Sequence, residues 1–413
     1  MVTMTYPDPA EVADTGGARP VAQLKYVDTV DGGMWITWRW EHALDRPRIW
    51  GYQPQQLAGI MLAFAPAVPE PRDGETVDDA LARSWAILGD LDREKELMTA
   101  LAPLIPQGLA AEINHFLAEG LWPHLRIQPS RRLARVPWEA LRVDEGERMV
   151  HDLDVSVLLP ASVRNAPRRR RAPEVPGGPV AAAISVEVPG RIPELGDVLR
   201  RDEPVIDGMF QALGGRAIGS PHGALSREGL REALAGAARF VYAGHVTPGV
   251  HGLDTAIHLT DGPGTAGRGS VVAGVHRPLT AADIVFDRWD VPARVALIGC
   301  ASGGDAAYPD PTGLVAAMVA RGARVVTSAR WSLPTDVGIE WLASSSLGSQ
   351  STESSAPYRA FAGAVIAASV AHDAEDPVHA LNAWQRAQAD AWERTGDPAH
   401  TPLIWAGLTT ALA

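Results

Sequence analysis

After residue 178 the chain settles into a rhythm. The short apolar runs GPVAAAISV, ARFVYAG, TAIHLTD, ARVALIGC and ARVVTSAR recur with text of helical period between most of them. A strand that carries apolar side chains at nearly every position must be buried on both faces, and sheets of such strands are covered by helices on each side. The intervening segments PELGDVLRRDEPVIDGMFQALGG, LSREGLREALAGA, LTAADIVF and PTGLVAAMVARGA read as those helices. Ser226 and Thr280 are placed to cap two of them, Thr280 with Asp283 three residues on, and Gly322 after Arg321 is a C-terminal stop. The alternation predicts a three-layer α/β sandwich with a central, mostly parallel sheet. Parallel strands bring their carboxyl ends to one edge, where open α/β sheets gather ligands and reactive groups.

The text upstream is different. Residues 1–20 are rich in Pro, Gly, Asp and Ala and read as a frayed start. GGMWITWRWEHA suggests a strand or two, TVDDALARSWAIL and EKELMTALAPLI read as helices, and WPHLRIQPS and VSVLLPAS read as strands on either side of RLARVPWEALRV. RNAPRRRRAPEVPGG, residues 164–178, is basic, rich in Pro and Gly and without apolar period, which predicts a linker or exposed loop. The expected organisation is a smaller, non-catalytic α/β lobe over 1–163, the linker over 164–178 and a catalytic half over 179–413.

Composition removes several classes of function. A net charge of −12 speaks against a nucleic-acid partner and suits a basic protein partner. A lone cysteine makes neither an internal disulfide nor a multi-cysteine metal site. No run of eighteen uninterrupted apolar residues is present, and the amino terminus lacks a basic start followed by an apolar run, so a cytoplasmic protein without a membrane segment is expected. GPGTAG, residues 262–267, fits the dinucleotide fingerprint letter for letter, but strand-like RGSVVAGV follows it in place of a helix, so it reads as a glycine-rich hairpin. His245, His251 and His258 lack the spacing of a helical metal-binding pair. Neither a metal nor an organic cofactor is expected.

The chemistry concentrates at two strand ends. His245 follows the run 238–243, and Cys300 follows the run 294–299. On parallel neighbouring strands both would emerge on one rim. A thiol becomes a strong nucleophile when an imidazole takes its proton, so the pair has a chemical purpose. The small residues Gly244, Gly299, Ala301, Ser302, Gly303 and Gly304 let a peptide backbone approach and leave main-chain N–H groups for a developing oxyanion.

FVYAGHVTPG, VALIGCASGGD, GLVAAMVARGARVVTSARW and HTPLIWAGLTTAL together resemble the CHAT domain, a family of caspase- and separase-like cysteine peptidases. The 55 residues between His245 and Cys300 agree with the caspase spacing. The segment from LWPHLRIQPS through VPWEAL to VSVLLPAS is similar to the family's opening, and the resemblance covers about residues 105–413. It implies a caspase-like fold, His245 as general base, Cys300 as nucleophile, a protein substrate, and an activating or repeat-containing protein partner in a bacterial conflict or cell-death system. The main-chain N–H groups of residue 246 and Cys300 would hold the oxyanion. The family usually has Gly after the histidine, whereas this chain has Val246, a stiff residue that disfavours positive φ; a catalytically inactive scaffold is therefore the alternative expectation. Separase-like relatives receive a basic side chain on an acid just beyond the strand after the nucleophile, which here brings in Trp331 and Asp336, with Asp305 as a second acid. Read from its own surroundings, Asp336 is instead an N-cap for VGIEWLASS.

Overall fold

The strands of the chain are β1 (Val21–Asp28), β2 (Met34–Trp40), β3 (Arg48–Tyr52), β4 (His124–Gln128), β5 (Asp154–Leu158), β6 (Val180–Ile184), β7 (Ala217–Ile218), β8 (Arg239–Ala243), β9 (Val246–Thr247), β10 (Ala256–Ile257), β11 (Leu279–Thr280), β12 (Arg294–Ile298), β13 (Val325–Ala329) and β14 (Leu408–Leu412). The computed structural model describes residues 12, 15–143, 147–200, 207–208, 210–211, 213, 215–218, 222–308, 312–346 and 358–413. Among these, eleven strands form one sheet in the order β3-β2-β1-β4-β5-β14-β13-β12-β8-β6-β7. The molecule is mixed α/β, and its large central sheet is mostly parallel. Antiparallel pairing enters only at β3-β2-β1 and at β13-β14.

Alternation of side chains along the strands sorts the core into two layers. Leu24, Ile127, Val155, Val241 and Ile298 face one side, under the helices Pro54–Phe64, Val77–Leu88, Leu91–Leu101, Gln107–Ala118, Ala360–Ala371 and Pro377–Thr395. Ala181, Tyr242, Leu297 and Val326 face the other, under Arg227–Gly236, Ala281–Phe286 and Leu314–Arg321. That second helical layer stops short of the first strands. On the same face β1–β3 expose Val27, Trp35 and Ile49.

Most of the local expectations are met. Ser226 caps Arg227–Gly236 by accepting from the Gly229 N–H, Thr280 and Asp283 form a reciprocal capping box, and Gly322, at φ 149°, ends Leu314–Arg321. TVDDALARSWAIL begins at the Thr76 cap and runs as the helix Val77–Leu88. Trp138 and Trp405 are buried, whereas Trp122 is only partly covered and has the Arg386 guanidinium over its ring.

Three readings need correction. TAIHLTD contributes only the two-residue β10, which lies antiparallel between β9 and β11 in a separate small sheet. RGSVVAGV forms no strand beyond a bridge between Val272 and His276. In the basic run Arg168 and Arg171 are exposed, but Arg169 and Arg170 turn inward. Arg169 donates to the Ala323 carbonyl, Arg170 to the Val291 and Arg321 carbonyls, and the backbone of 170 and 172 bonds to Ala320 and Gly322. Cations at a helix C-terminus meet its unpaired carbonyls, which is why the arginines settle there. Of the helical text over 193–215, residues 201–206, 209, 212 and 214 lie outside the described residues, and Pro193–Leu195 is one 3-10 turn. Most of the frayed start over 1–20 also lies outside them.

Candidate active site

Strands β8 and β12 are parallel neighbours, with Ala243 opposite Ile298. The register ends with that pair; the Gly244 N–H donates to the Ile298 carbonyl at 3.2 Å, and His245 and Cys300 each follow one glycine further on, at the same edge of the sheet. The approach is close: a Cβ at residue 299 would stand 2.4 Å from the Gly244 carbonyl oxygen and 2.8 Å from Val246 Cγ2. Glycine is the residue that fits.

The turn beyond Cys300 is fastened to β13. Ala301 holds φ at 50°, unusual for a residue with a Cβ, and its N–H donates to the Trp331 carbonyl at 2.9 Å. The Ser302 hydroxyl donates to the Leu297 carbonyl and accepts from the Ala329 N–H, and the Gly303 N–H donates to the Ala329 carbonyl. The Cys300 thiol donates to the Leu333 carbonyl at 3.7 Å. Burial pushes this thiol above its ordinary range; the bond to Leu333 opposes that shift, and the nearby charge of Glu70 adds to it.

His245 is held from two sides. Its Nε2 lies 2.6 Å from the Gly196 carbonyl oxygen. A carbonyl only accepts, so Nε2 carries the hydrogen and Nδ1 is the basic nitrogen. Burial holds the ring below the usual imidazole range, against the opposing pull of the Gly196 carbonyl and the Asp197 carboxylate, so the ring is neutral and able to accept a proton at neutral pH. Its own carbonyl accepts from the buried Tyr242 hydroxyl at 2.6 Å. His258 is buried: it accepts from the Thr247 hydroxyl and donates to His276, which donates to the Asp261 carbonyl, while His251 is exposed.

Val246 needs no positive φ. It lies in β9 opposite Ile257, and the His258 N–H bonds to the His245 carbonyl, so the 246–257 pair is a non-hydrogen-bonded one. The Val246 N–H therefore faces away from β10 and is not taken up by the ladder. A β-branched residue is at ease there, and the steric objection raised by the sequence does not arise.

Each of the three residues expected to bind substrate is buried and hydrogen-bonded within the fold. Trp331 is fully buried, with its indole N–H donating to the Leu403 carbonyl at 2.9 Å. Asp336 is buried and accepts from the N–H groups of Phe361 and Ala362, so it serves the first turn of the next helix, not an N-cap of its own. Asp305 is buried and accepts from the N–H groups of Val315 and Ala316; burial raises its carboxyl to about 6. Helix N-termini attract carboxylates, and here they hold both.

The acid that does reach this region is Glu70. Its carboxylate accepts from the Ser332 N–H at 3.0 Å and hydroxyl at 3.4 Å, next to the residue whose carbonyl holds the thiol. Arg83 fixes the loop that presents it, donating to the carbonyls of Pro66, Val68 and Glu70 and pairing with Glu75. Glu70, Gly196 and Tyr242 were not anticipated. Nothing local to PEPRDGE or PELGD marks them.

Residues 95–412 match the family model described as the CHAT domain. No curated protein sequence matches the chain. Among solved structures it is similar to two crystal structures of the Saccharomyces cerevisiae separase-securin complex, at 11% identity with a TM-score of 0.47 and at 10% identity with a TM-score of 0.42. Each similarity covers 95% of this chain and 30% of the other, so the chain spans less than a third of the length of the chains it resembles.

Proposed function

The chain belongs to the CHAT domain family, and from that premise we propose that it is a cysteine endopeptidase acting on a protein substrate through Cys300 and His245. The observation that supports this reading is the β8–β12 register, which brings the strand ends preceding His245 and Cys300 side by side, with Nδ1 of His245 left basic by the bond from Nε2 to Gly196. In the proposed reaction Nδ1 takes the thiol proton and the sulfur attacks a peptide carbonyl carbon. The N–H groups of Val246 and Cys300 receive the oxyanion. The imidazolium then protonates the departing amine, and water, deprotonated by the same nitrogen, releases the acyl group and restores the thiol.

The proposal keeps the division of labour read from the sequence, with residues 179–413 catalytic, 164–178 a junction and 1–163 a supporting lobe that receives the signal of an activating protein partner. A cytoplasmic setting and a role in bacterial conflict or cell death belong to the same proposal, and neither a metal nor an organic cofactor takes part in it. One observation favours the scaffold alternative: the resting thiol is bonded to Leu333 and held protonated, so binding of substrate or partner must first release it.

The test is incubation with a peptide library, with Cys300→Ala as the blank. Wild type should cleave, and Cys300→Ala and His245→Ala should each abolish cleavage while keeping the folded signal. The double variant should be no worse than either single one, because the two residues act as a unit. Cleavage retained by Cys300→Ala would falsify the mechanism.

A further inference from the structure

A cavity of about 300 Å³ lies over β1, β4, β5 and β14, beside the loop that follows Cys300. Its origin is the incomplete second helical layer. Among the described residues the helices on that face end with Leu314–Arg321 and the one-turn helix Ala161–Arg164 packed against it, and beyond them β1 buries Ala22, Leu24 and Tyr26 on one side while Lys25 and Val27 stand exposed on the other. The step between the helix and the bare strands is closed by the loop 303–308. Val27, Val157, Ala411 and Ala306 give it apolar walls. A void of this size takes one fused aromatic ring system or a short acyl chain.

The charge around the cavity is not balanced. Asp28 is paired with Arg132 at 2.8 Å, and the Asp305 carboxylate is taken up by the helix N–H groups described above. Lys25 has no anionic partner among the described residues, and Arg131 donates only to the neutral Ala307 carbonyl. Ser130 also lines the cavity, but its hydroxyl oxygen is closed off from the void. Two cations on one wall without an anionic partner define what would satisfy both: a negatively charged group.

The cavity also touches both reactive loops. Tyr308, in its wall, donates to the Gly249 carbonyl at 3.0 Å and accepts from the Thr255 hydroxyl at 3.1 Å, both in the segment after His245, while its own loop continues from Cys300. We propose that this cavity binds a small organic anion with an apolar body, an aromatic or short-chain carboxylate whose head meets Lys25 and Arg131, and that its occupancy is transmitted through Tyr308 to the loops bearing Cys300 and His245. The site stands on the cavity and its lining, and it holds whether the chain cleaves peptides or binds a partner without cutting.

The experiment titrates the full chain with 2-naphthoate and, separately, with its neutral counterpart 2-naphthamide, following binding by calorimetry. Wild type should prefer the acid by about fivefold, the worth of an exposed ion pair. Lys25→Glu, at an exposed position that folding does not depend on, should erase that preference. Ala306→Trp should abolish binding of both compounds, provided its thermal unfolding matches wild type. Equal affinity for acid and amide, or binding that survives a folded Ala306→Trp, would place the ligand elsewhere and overturn the site. Transmission is read from the alkylation rate of Cys300 by iodoacetamide, which is unambiguous because the chain has one cysteine. Saturating 2-naphthoate should change that rate at least twofold in wild type and not in Ala306→Trp. An unchanged rate with the compound bound overturns the coupling to the reactive loops.

Discussion

Cys300 rests as a thiol because its surroundings disfavour the anion: burial comes first, and the Glu70 carboxylate beyond Ser332 adds its field. Glu70→Gln keeps an acceptor for the Ser332 N–H and removes the charge. The expected outcome is faster alkylation of Cys300 at pH 7.5, by roughly threefold, because the thiolate fraction rises once the opposing charge is gone. A rate equal to or below that of wild type would mean that the charge does not restrain the thiol. At Val246 the expectation is the reverse of a gain. The side chain is buried and the backbone extended, so Val246→Gly removes apolar burial and adds freedom to the unfolded chain, together about 2 kcal/mol of stability. Denaturant unfolding should show that loss, with no rise in peptide turnover. A rise would show that the valine obstructs the site after all.

Among the elements, the turn Trp138–Ala140 shows how segments far apart in the sequence are tied together. Glu139 receives Arg330 through both carboxylate oxygens, at 2.7 and 2.6 Å, and Arg330 also reaches the carbonyls of Val136 and Leu408. Arg330 directly follows β13 and precedes Trp331, whose carbonyl fixes the turn after Cys300. Both partners are almost wholly buried. Removing one charge of such a pair leaves the other without compensation, so Glu139→Gln should cost about 3 kcal/mol in urea unfolding. A loss below about 1 kcal/mol would show the junction to be held by packing alone. The VPWEAL motif is conspicuous in the sequence, yet the cation that pairs with its glutamate comes from just past β13, and Thr409 of β14 adds a hydrogen bond.

For the whole molecule, buried neutral histidines set a floor on tolerable pH. His372 is buried, bonded to the Thr327 hydroxyl at 2.8 Å, and held down to about 3 by burial and then by Arg239 and Arg294. Its ordinary value is 6.5, so as pH falls below that the unfolded chain takes up a proton that the folded one refuses. Its contribution to stability is therefore intact above about 6.5 and is lost progressively on acidification toward 3. Between pH 7 and pH 5 the stability difference between wild type and His372→Gln should shrink by about 2 kcal/mol. A difference that stays constant over that window would show that His372 is not held neutral.

The separation between what the chain spells out and what its folding adds follows the range of the interactions. Apolar runs, helical periods and caps involve residues a few positions apart, so β6, β8, β12 and β13, the caps at Ser226 and Thr280 and the strand-end positions of His245 and Cys300 were all readable in order. TAIHLTD was over-read because an apolar run reports burial and not which sheet receives it. The partners of the acids were hidden for a related reason. Asp305 and Asp336 carry the right charge in the right stretch, but a carboxylate goes to the nearest unpaired helix N–H groups, and in Asp336 those belong to a helix beginning at Ala360. Glu70 and Ser332 are 262 residues apart, and Arg330 and Glu139 are 191 apart. The strand order β5-β14-β13-β12 brings such partners together, and no periodicity within either segment encodes it. The sequence by itself determined the layers and the strand-end positions of His245 and Cys300. The order of strands in space decided which carbonyl orients the histidine, which acid faces the thiol and where a cavity was left open, because those are contacts between surfaces that meet only once the sheet has closed over its core.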